Sequence, residues 1–180
     1  DYFTDDTFEL NTPLIKSITR NRIDITEVLL QNGANASLAD TTAAKHSPLR
    51  WCATCPNEMR LATAKLLIEI GHADVNGVDY AGKTPLFDVR AGGAVSKHSE
   101  FISLLVDNGA NINFTDPNGN TPLIASPKYV ELFLEKGADL NAASANGNTC
   151  LHACAEKDDW NQFLAIMIEK GASIDAECSQ

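Results

Sequence analysis

Asp116-Pro117-Asn118-Gly119-Asn120-Thr121-Pro122-Leu123 decides how this chain is read, because its parts recur along the sequence. Asp79-Tyr80-Ala81-Gly82-Lys83-Thr84-Pro85-Leu86 and Ser144-Ala145-Asn146-Gly147-Asn148-Thr149-Cys150-Leu151 repeat the whole stretch, and Thr12-Pro13-Leu14 and Ser47-Pro48-Leu49 repeat its second half. A second mark alternates with the first: Gly33-Ala34-Asn35, Gly71-His72-Ala73-Asp74-Val75-Asn76, Gly109-Ala110-Asn111-Ile112-Asn113, Gly137-Ala138-Asp139-Leu140-Asn141 and Gly171-Ala172-Ser173-Ile174-Asp175. Between the marks lie apolar runs with helical spacing, such as Leu66-Leu67-Ile68 and Leu104-Leu105-Val106. The fold is therefore periodic.

Each unit can be read locally. Thr12 is placed to cap a helix whose first residue is Pro13, where a missing N–H costs nothing and a fixed φ already suits the helix. A second helix, about residues 24–32, is expected to turn Ile25, Val28 and Leu29 inward and to stop at Gly33. Phe8 and Leu10 are expected to cover the start of the stack. In the second unit the turn Asp40 to His46 is longer than its sisters, and a helix is expected over about 58–70. The third unit has an expanded connection over 91–98, rich in small and polar residues, read as a flexible loop. The fourth is short: Thr121 to Gly137 leaves out about five residues of the first helix, and Ser126-Pro127 reads as cap and opening of the second. Trp160 is expected to start or precede an outer helix, and the helix around Phe163, Leu164, Ile166, Met167 and Ile168 is strongly apolar.

These marks resemble those of ankyrin-repeat proteins, whose unit is a β-turn followed by two helices, about 33 residues in all. The resemblance covers nearly the whole chain. It implies an all-α repeat solenoid of about five helix-turn-helix units with β-turn or hairpin fingers, approximately residues 1–38, 39–76, 77–114, 115–142 and 143–180. Stacked units would share a core through Leu14, Leu49, Leu86, Leu123 and Leu151. The family binds other proteins through turn tips and exposed positions of the first helix. Carried onto this sequence, that picks out His46, Trp51, Thr54, Tyr80, Lys83, Asn118, Asn120, Asn146 and Asn148, with Trp51 and Tyr80 foremost because aromatics often dominate interface energy. Trp51 suits a place between layers equally well. The resemblance also gives His152 a structural role, hydrogen-bonding between neighbouring repeats, and makes Asn76, Asn113 and Asn141 candidates for hydroxylation. Uneven, asparagine-rich repeats resemble those of pathogen proteins that act inside host cells, as well as those of metazoan scaffolds.

Composition narrows the partners. The chain has 180 residues, 44% of them hydrophobic, and a net charge of −10. That charge argues against a nucleic-acid backbone as partner, which usually meets clustered Lys and Arg. No run approaches the roughly 18 apolar residues of a membrane span, and Asp1-Tyr2-Phe3-Thr4-Asp5-Asp6 is acidic where a signal peptide would be basic and then apolar. The expectation is a monomeric module of the cytoplasm or nucleus, part of a longer protein, that binds a protein partner and uses no cofactor.

Three motifs could carry chemistry. Gly77-Val78-Asp79-Tyr80-Ala81-Gly82-Lys83-Thr84 matches G-x-x-x-x-G-K-[ST], a phosphate-cradling loop, and offers nucleotide binding through Lys83 as an alternative function. The repeat already accounts for its glycine and threonine, and Asn120 and Asn148 hold the lysine's place in the sister turns. Cys52-Ala53-Thr54-Cys55 with Cys150, His152 and Cys154 could supply zinc ligands by spacing. Cys52 and Cys154 fall at the same repeat position three layers apart, at roughly 8 to 10 Å per layer, so no metal is expected. Cys150 beside His152 could form a thiol nucleophile and base. Small buried residues and a structural histidine account for the same pattern, and no catalytic activity is expected.

Overall fold

The computed structural model describes residues 12–54, 58–89, 95–156 and 160–178. The expected cover by Phe8 and Leu10 lies outside the described residues. Nine α-helices are present among the described residues, all short: α1 Pro13–Thr19, α2 Ile23–Gln31, α3 Pro48–Ala53, α4 Glu58–Glu69, α5 Val95–Asp107, α6 Pro122–Ala125, α7 Val130–Glu135, α8 Cys150–Ala155 and α9 Asn161–Glu169. Two 3₁₀ turns, Pro85–Asp88 and Pro127–Tyr129, complete the third and fourth units. The result is an all-α repeat stack. The chain divides into two compact units, Asp1–Phe101 and Ile102–Gln180.

The helices begin where the repeat says they should, for a reason visible at each start. Thr12 accepts a hydrogen bond from the Ile15 N–H at 3.2 Å, Ser47 from Arg50 N–H at 3.3 Å, and Thr121 from Ile124 N–H at 3.3 Å, each followed by proline. Each hydroxyl thus satisfies one of the N–H groups that a helix leaves orphaned at its start. Thr84 makes no such bond, and Pro85–Asp88 winds only as a 3₁₀ turn before Val89, at φ −69 and ψ 69, leaves the helical region. In the fourth unit α6 has four residues, and Ser126-Pro127 opens a 3₁₀ turn that runs into α7, so the shortened first helix is real.

In the first compact unit α1 packs on α2 and α3, and α4 packs on α2 and α3. Its core holds Leu14, Ile15, Ile18, Leu49, Leu67, Leu86 and Phe101, none more than 2% exposed. In the second unit α8 packs on α6 and α9, and α9 on α7, around Leu123, Phe133 and Met167. A ladder of polar bonds runs beside these cores. Ser37 Oγ accepts the Asp74 N–H at 3.0 Å, Asn113 Oδ1 the Asp139 N–H at 2.8 Å, and Asn141 Oδ1 the Ser173 N–H at 2.8 Å. The same register position therefore ties each of these loops to the next one by a side chain.

Three expectations change. Leu151 is only half-buried, and Cys150 takes the buried place beside it, its Sγ 3.3 Å from Leu140 O. On α2, Ile25 and Val28 face solvent at 40% and 57% exposure, while Thr26 and Leu30 are buried. Thr26 can turn inward because its hydroxyl meets Ser17 Oγ at 2.8 Å and Arg22 O at 3.0 Å, which removes the cost of burying it. Residues 95–98 belong to α5 rather than to a loop, and 91–94 lie outside the described residues. The apolar last helix is covered on one side: Met167 is fully buried and Phe163, Leu164 and Ile166 are half-buried, while Ile168 is 42% exposed. Ile174, at the position where Ala36, Val75, Ile112 and Leu140 are no more than 9% exposed, stands 69% exposed.

Candidate functional site

The turns between successive units form the candidate site, and each is built around the residue at its head. In the fourth turn Asp116 N–H reaches Asn120 O at 3.0 Å, and Asp116 Oδ1 accepts from Asn118 N–H and Asn120 N–H, both at 2.9 Å. In the third, Asp79 N–H reaches Lys83 O at 3.1 Å and Asp79 Oδ1 accepts the Lys83 N–H at 2.8 Å. Ser144 does the same in the fifth, accepting Asn148 N–H at 3.1 Å. A short acceptor side chain that bonds its own backbone two to four residues on is the means by which Asp and Ser fix turns. The longer second turn uses Asp40, whose Oδ1 accepts from Thr42 N–H, Thr42 Oγ1 and His46 N–H.

Within each compact unit a turn is tied to its neighbour by backbone. Tyr80 N–H donates to Ala44 O at 3.1 Å, and Ala145 N–H to Asn118 O at 2.8 Å. That approach requires glycine: Gly119, at φ +75, would place a Cβ 2.7 Å from Ala145 N, and Gly147, at φ +79, would place one 2.6 Å from Glu177 O. Gly33 has a similar φ of +83 and nothing within 4 Å of its would-be Cβ. Gly119→Ala is therefore expected to cost more than Gly33→Ala, which carries only the conformational penalty of about 1 to 2 kcal/mol. Urea unfolding of the two variants measures the difference, and equal midpoints would remove the turn-to-turn contact as a source of stability.

The sequence-derived contact residues separate under this geometry. Tyr80 is 78% exposed, Thr54, Asn118 and Asn146 are exposed, and His46, Lys83, Asn120 and Asn148 are half-buried. Trp51 is not at an exposed position: it is 9% exposed, its Nε1–H donates to Asp40 Oδ2 at 3.1 Å, and His46 stands edge-on to its ring at 5.5 Å. A buried indole needs such an acceptor, and Asp40 is placed to give it. The sequence pattern missed Asp40, Asp79 and Asp116 as turn organisers, although counting back five residues from Thr84, Thr121 and Thr149 lands on Asp, Asp and Ser. It also missed Arg50, which is 8% exposed and forks between the buried carboxylates of Asp79 and Asp88. An open cleft between α1 and α2, lined by Lys16, Arg20 and Arg22 with Ile25, was not singled out either.

The motifs that suggested chemistry resolve into structure. In Gly77–Thr84 the N–H groups of Gly77, Asp79, Tyr80, Gly82 and Lys83 are bonded to Asp74 O, within the turn or to Ala44 O, and Thr84 is buried, so these five N–H groups are not free to cradle a phosphate. His152 Nδ1 meets Thr149 N–H at 3.2 Å and Thr149 Oγ1 at 3.0 Å, a capping arrangement inside its own helix rather than a bond between repeats. Asn113 and Asn141 spend their side-chain oxygens on the ladder between loops. Among the described residues no three His, Cys, Asp or Glu side chains are grouped as metal ligands, and no helix is long and apolar enough to cross a membrane.

Burial pushes the Cys52 thiol up to about 12 and the Cys150 and Cys154 thiols up to about 11. A raised pKa keeps the sulfur protonated, and only the thiolate is a nucleophile. Iodoacetamide applied to the folded protein at about pH 8 is expected to modify exposed Cys178 and to spare Cys52, Cys150 and Cys154. Peptide mass mapping reads the result, and fast labelling of Cys150 would restore it as a candidate nucleophile.

A family model described as ankyrin repeats, in three copies, matches residues 60–144 and 91–178. Human Ankyrin repeat and SOCS box protein 6 is 34% identical over 112 residues, covering 61% of this chain and 26% of that protein, and the Pongo abelii protein of the same name matches to the same extent. Phosphocholine transferase AnkX of Legionella pneumophila is 30% identical over 112 residues, covering 62% of this chain and 11% of that enzyme. The chain spans about a quarter of the length of the first two relatives and about a tenth of the third. With Thr-Pro helix starts, glycine-closed turns and paired short helices matched over these residues, the chain belongs to the ankyrin-repeat family.

Proposed function

We propose that the chain is a non-catalytic protein-binding module of the cytoplasm or nucleus, the recognition part of a longer protein, and that it meets its partner through the side chains at its turn tips. The observation that carries this reading is the division of labour in the turns. Their backbone groups and head carboxylates are consumed in holding shape, while Tyr80 is left 78% exposed at a tip and Lys83 has no side-chain partner among the described residues. A large aromatic held out on a rigid turn offers contact area at low entropic cost. Tyr80, Lys83, Thr54, His46, Asn118, Asn120, Asn146 and Asn148 form the proposed contact set, and Trp51 serves instead to brace the turn that presents them.

The relatives named above, one with a SOCS box and one a phosphocholine transferase, fit a role for such repeats beside another activity in the same chain. Whether the longer protein acts as an adaptor or on a host cell's protein follows from its partner. The test is affinity capture from cell lysate with the wild-type chain, a Tyr80→Ala, Asn118→Ala variant, and a Lys65→Ala control on exposed α4. Proteins retained by wild type and control but lost by the tip variant are expected; equal retention by all three would move the binding face off the turns. A thermal-shift series with ATP and GTP, repeated on Lys83→Ala, addresses the nucleotide alternative, and the expected result is no shift.

A further inference from the structure

The tip formed by the second and third turns differs in charge from the chain that carries it. The net charge is −10, and carboxylates such as Asp24, Glu27, Glu58, Glu69 and Glu100 are exposed on the helices of the same compact unit. Across residues 38–46 and 77–83 the only carboxylates are Asp40 and Asp79, whose side chains are 0% and 3% exposed. Asp40 is turned inward onto Trp51 and its own turn, and Asp79 onto Arg50 and Lys83 N–H. The lysines here are Lys45, exposed, and Lys83, half-buried, neither with an ion-pair partner among the described residues. Lys45 is exposed at φ 50, and the bond from Tyr80 N–H to Ala44 O sets Tyr80 beside it. Val78, 54% exposed, and Tyr80, 78% exposed, add apolar surface to the same pair of turns. The fourth and fifth turns carry Asn120 and Asn148 where this one carries Lys83, so the combination belongs to this tip.

We propose that this tip takes an acidic segment of a partner protein that presents an aromatic or aliphatic side chain to Tyr80 and Val78. The inference rests on the turn-tip reading above and names the chemistry of its partner. Two cations on a tip that also exposes apolar surface complement a segment that joins carboxylates to an apolar side chain, and like-charge repulsion elsewhere on the acidic chain would steer such a segment away from the helices. Screening confines this choice to the tip, because fields from charges more than about 8 Å away are largely damped at physiological ionic strength.

The experiment is fluorescence anisotropy with a fluorescein-tagged peptide Glu-Asp-Glu-Phe-Leu-Asp-Glu, the same peptide with Gln and Asn replacing its acids, and fluorescein-tagged single-stranded oligothymidine. The wild-type chain is expected to bind the acidic peptide at least about tenfold more tightly than the neutral one, and Lys45→Glu, Lys83→Glu is expected to abolish that preference. Tyr80→Ala should weaken both peptides, with unchanged circular dichroism confirming that each variant is folded. No binding of the acidic peptide, equal binding of the neutral one, or tighter binding of oligothymidine through the same lysines would each overturn the proposal. If the acidic peptide fails while lysate capture still depends on Tyr80, the partner chemistry is wrong and the turn-tip reading stands; if capture is also indifferent to Tyr80, both fall.

Discussion

Arg50→Leu is expected to destabilise the chain by about 3 to 5 kcal/mol. Arg50 sits on α3 and reaches two carboxylates, Asp79 at the head of the third turn and Asp88 in the 3₁₀ turn that follows it. All three side chains are less than 10% exposed. Removing the cation leaves two buried anions facing each other without a counter-charge, and an uncompensated buried charge costs far more than an ion pair contributes. The damage should localise. Asp79 also holds the third turn through Lys83 N–H, so hydrogen exchange is expected to quicken first across residues 79–88. Adding Asp88→Asn to Arg50→Leu removes one of the stranded anions and should recover part of the loss, read from urea midpoints. A single variant within about 1 kcal/mol of wild type would show the cluster to be a surface pair in effect.

Leu123→Ala should cost about 2 to 5 kcal/mol, and Leu151→Ala distinctly less, although the two residues occupy the same place in successive repeats. Leu123 is 1% exposed on α6, a helix of only four residues that has little else with which to hold its layer. Leu151 on α8 is half-buried, so truncating it opens a smaller cavity and loses less transfer energy. Equal losses would mean that the register of the fifth unit is closer to its neighbours' than its burial indicates.

The features legible in the sequence were those whose cause lies within a few residues. A hydroxyl before proline caps the helix it begins, as Thr12, Ser47 and Thr121 do, and the reason needs no knowledge of what lies opposite. The missing turn of the fourth unit was countable for the same reason. The inward face of α2 was not legible, because Ile25 and Thr26 are neighbours and only Ser17, on another helix, settles which of them turns in. For Trp51 the sequence left contact residue and layer packing equally open, and only Asp40, eleven positions earlier and accepting its N–H, decides for the interior. Arg50 needed partners 29 residues and more away. At the tips, the family resemblance picked out Tyr80 and Lys83, whereas the burial of the two carboxylates in these turns depended on Asp40 and Asp79 turning inward.

The glycine turns have a consequence for chemical ageing. Five of the glycines follow asparagine, at 32–33, 76–77, 108–109, 118–119 and 146–147. In a free chain that dipeptide is where the next backbone nitrogen most readily attacks the asparagine side chain, closing a succinimide that opens to aspartate or isoaspartate. Here all five attacking nitrogens are committed as donors: Gly33 to Leu30 O, Gly77 to Asp74 O, Gly109 to Val106 O, Gly119 to Asp116 O and Gly147 to Ser144 O. A nitrogen held in a turn bond cannot swing toward the side chain behind it, so the fold shields its own weakest covalent steps. A repeat that opens loses that shield, and the isoaspartate left in its turn becomes a lasting record of which part of the stack came apart.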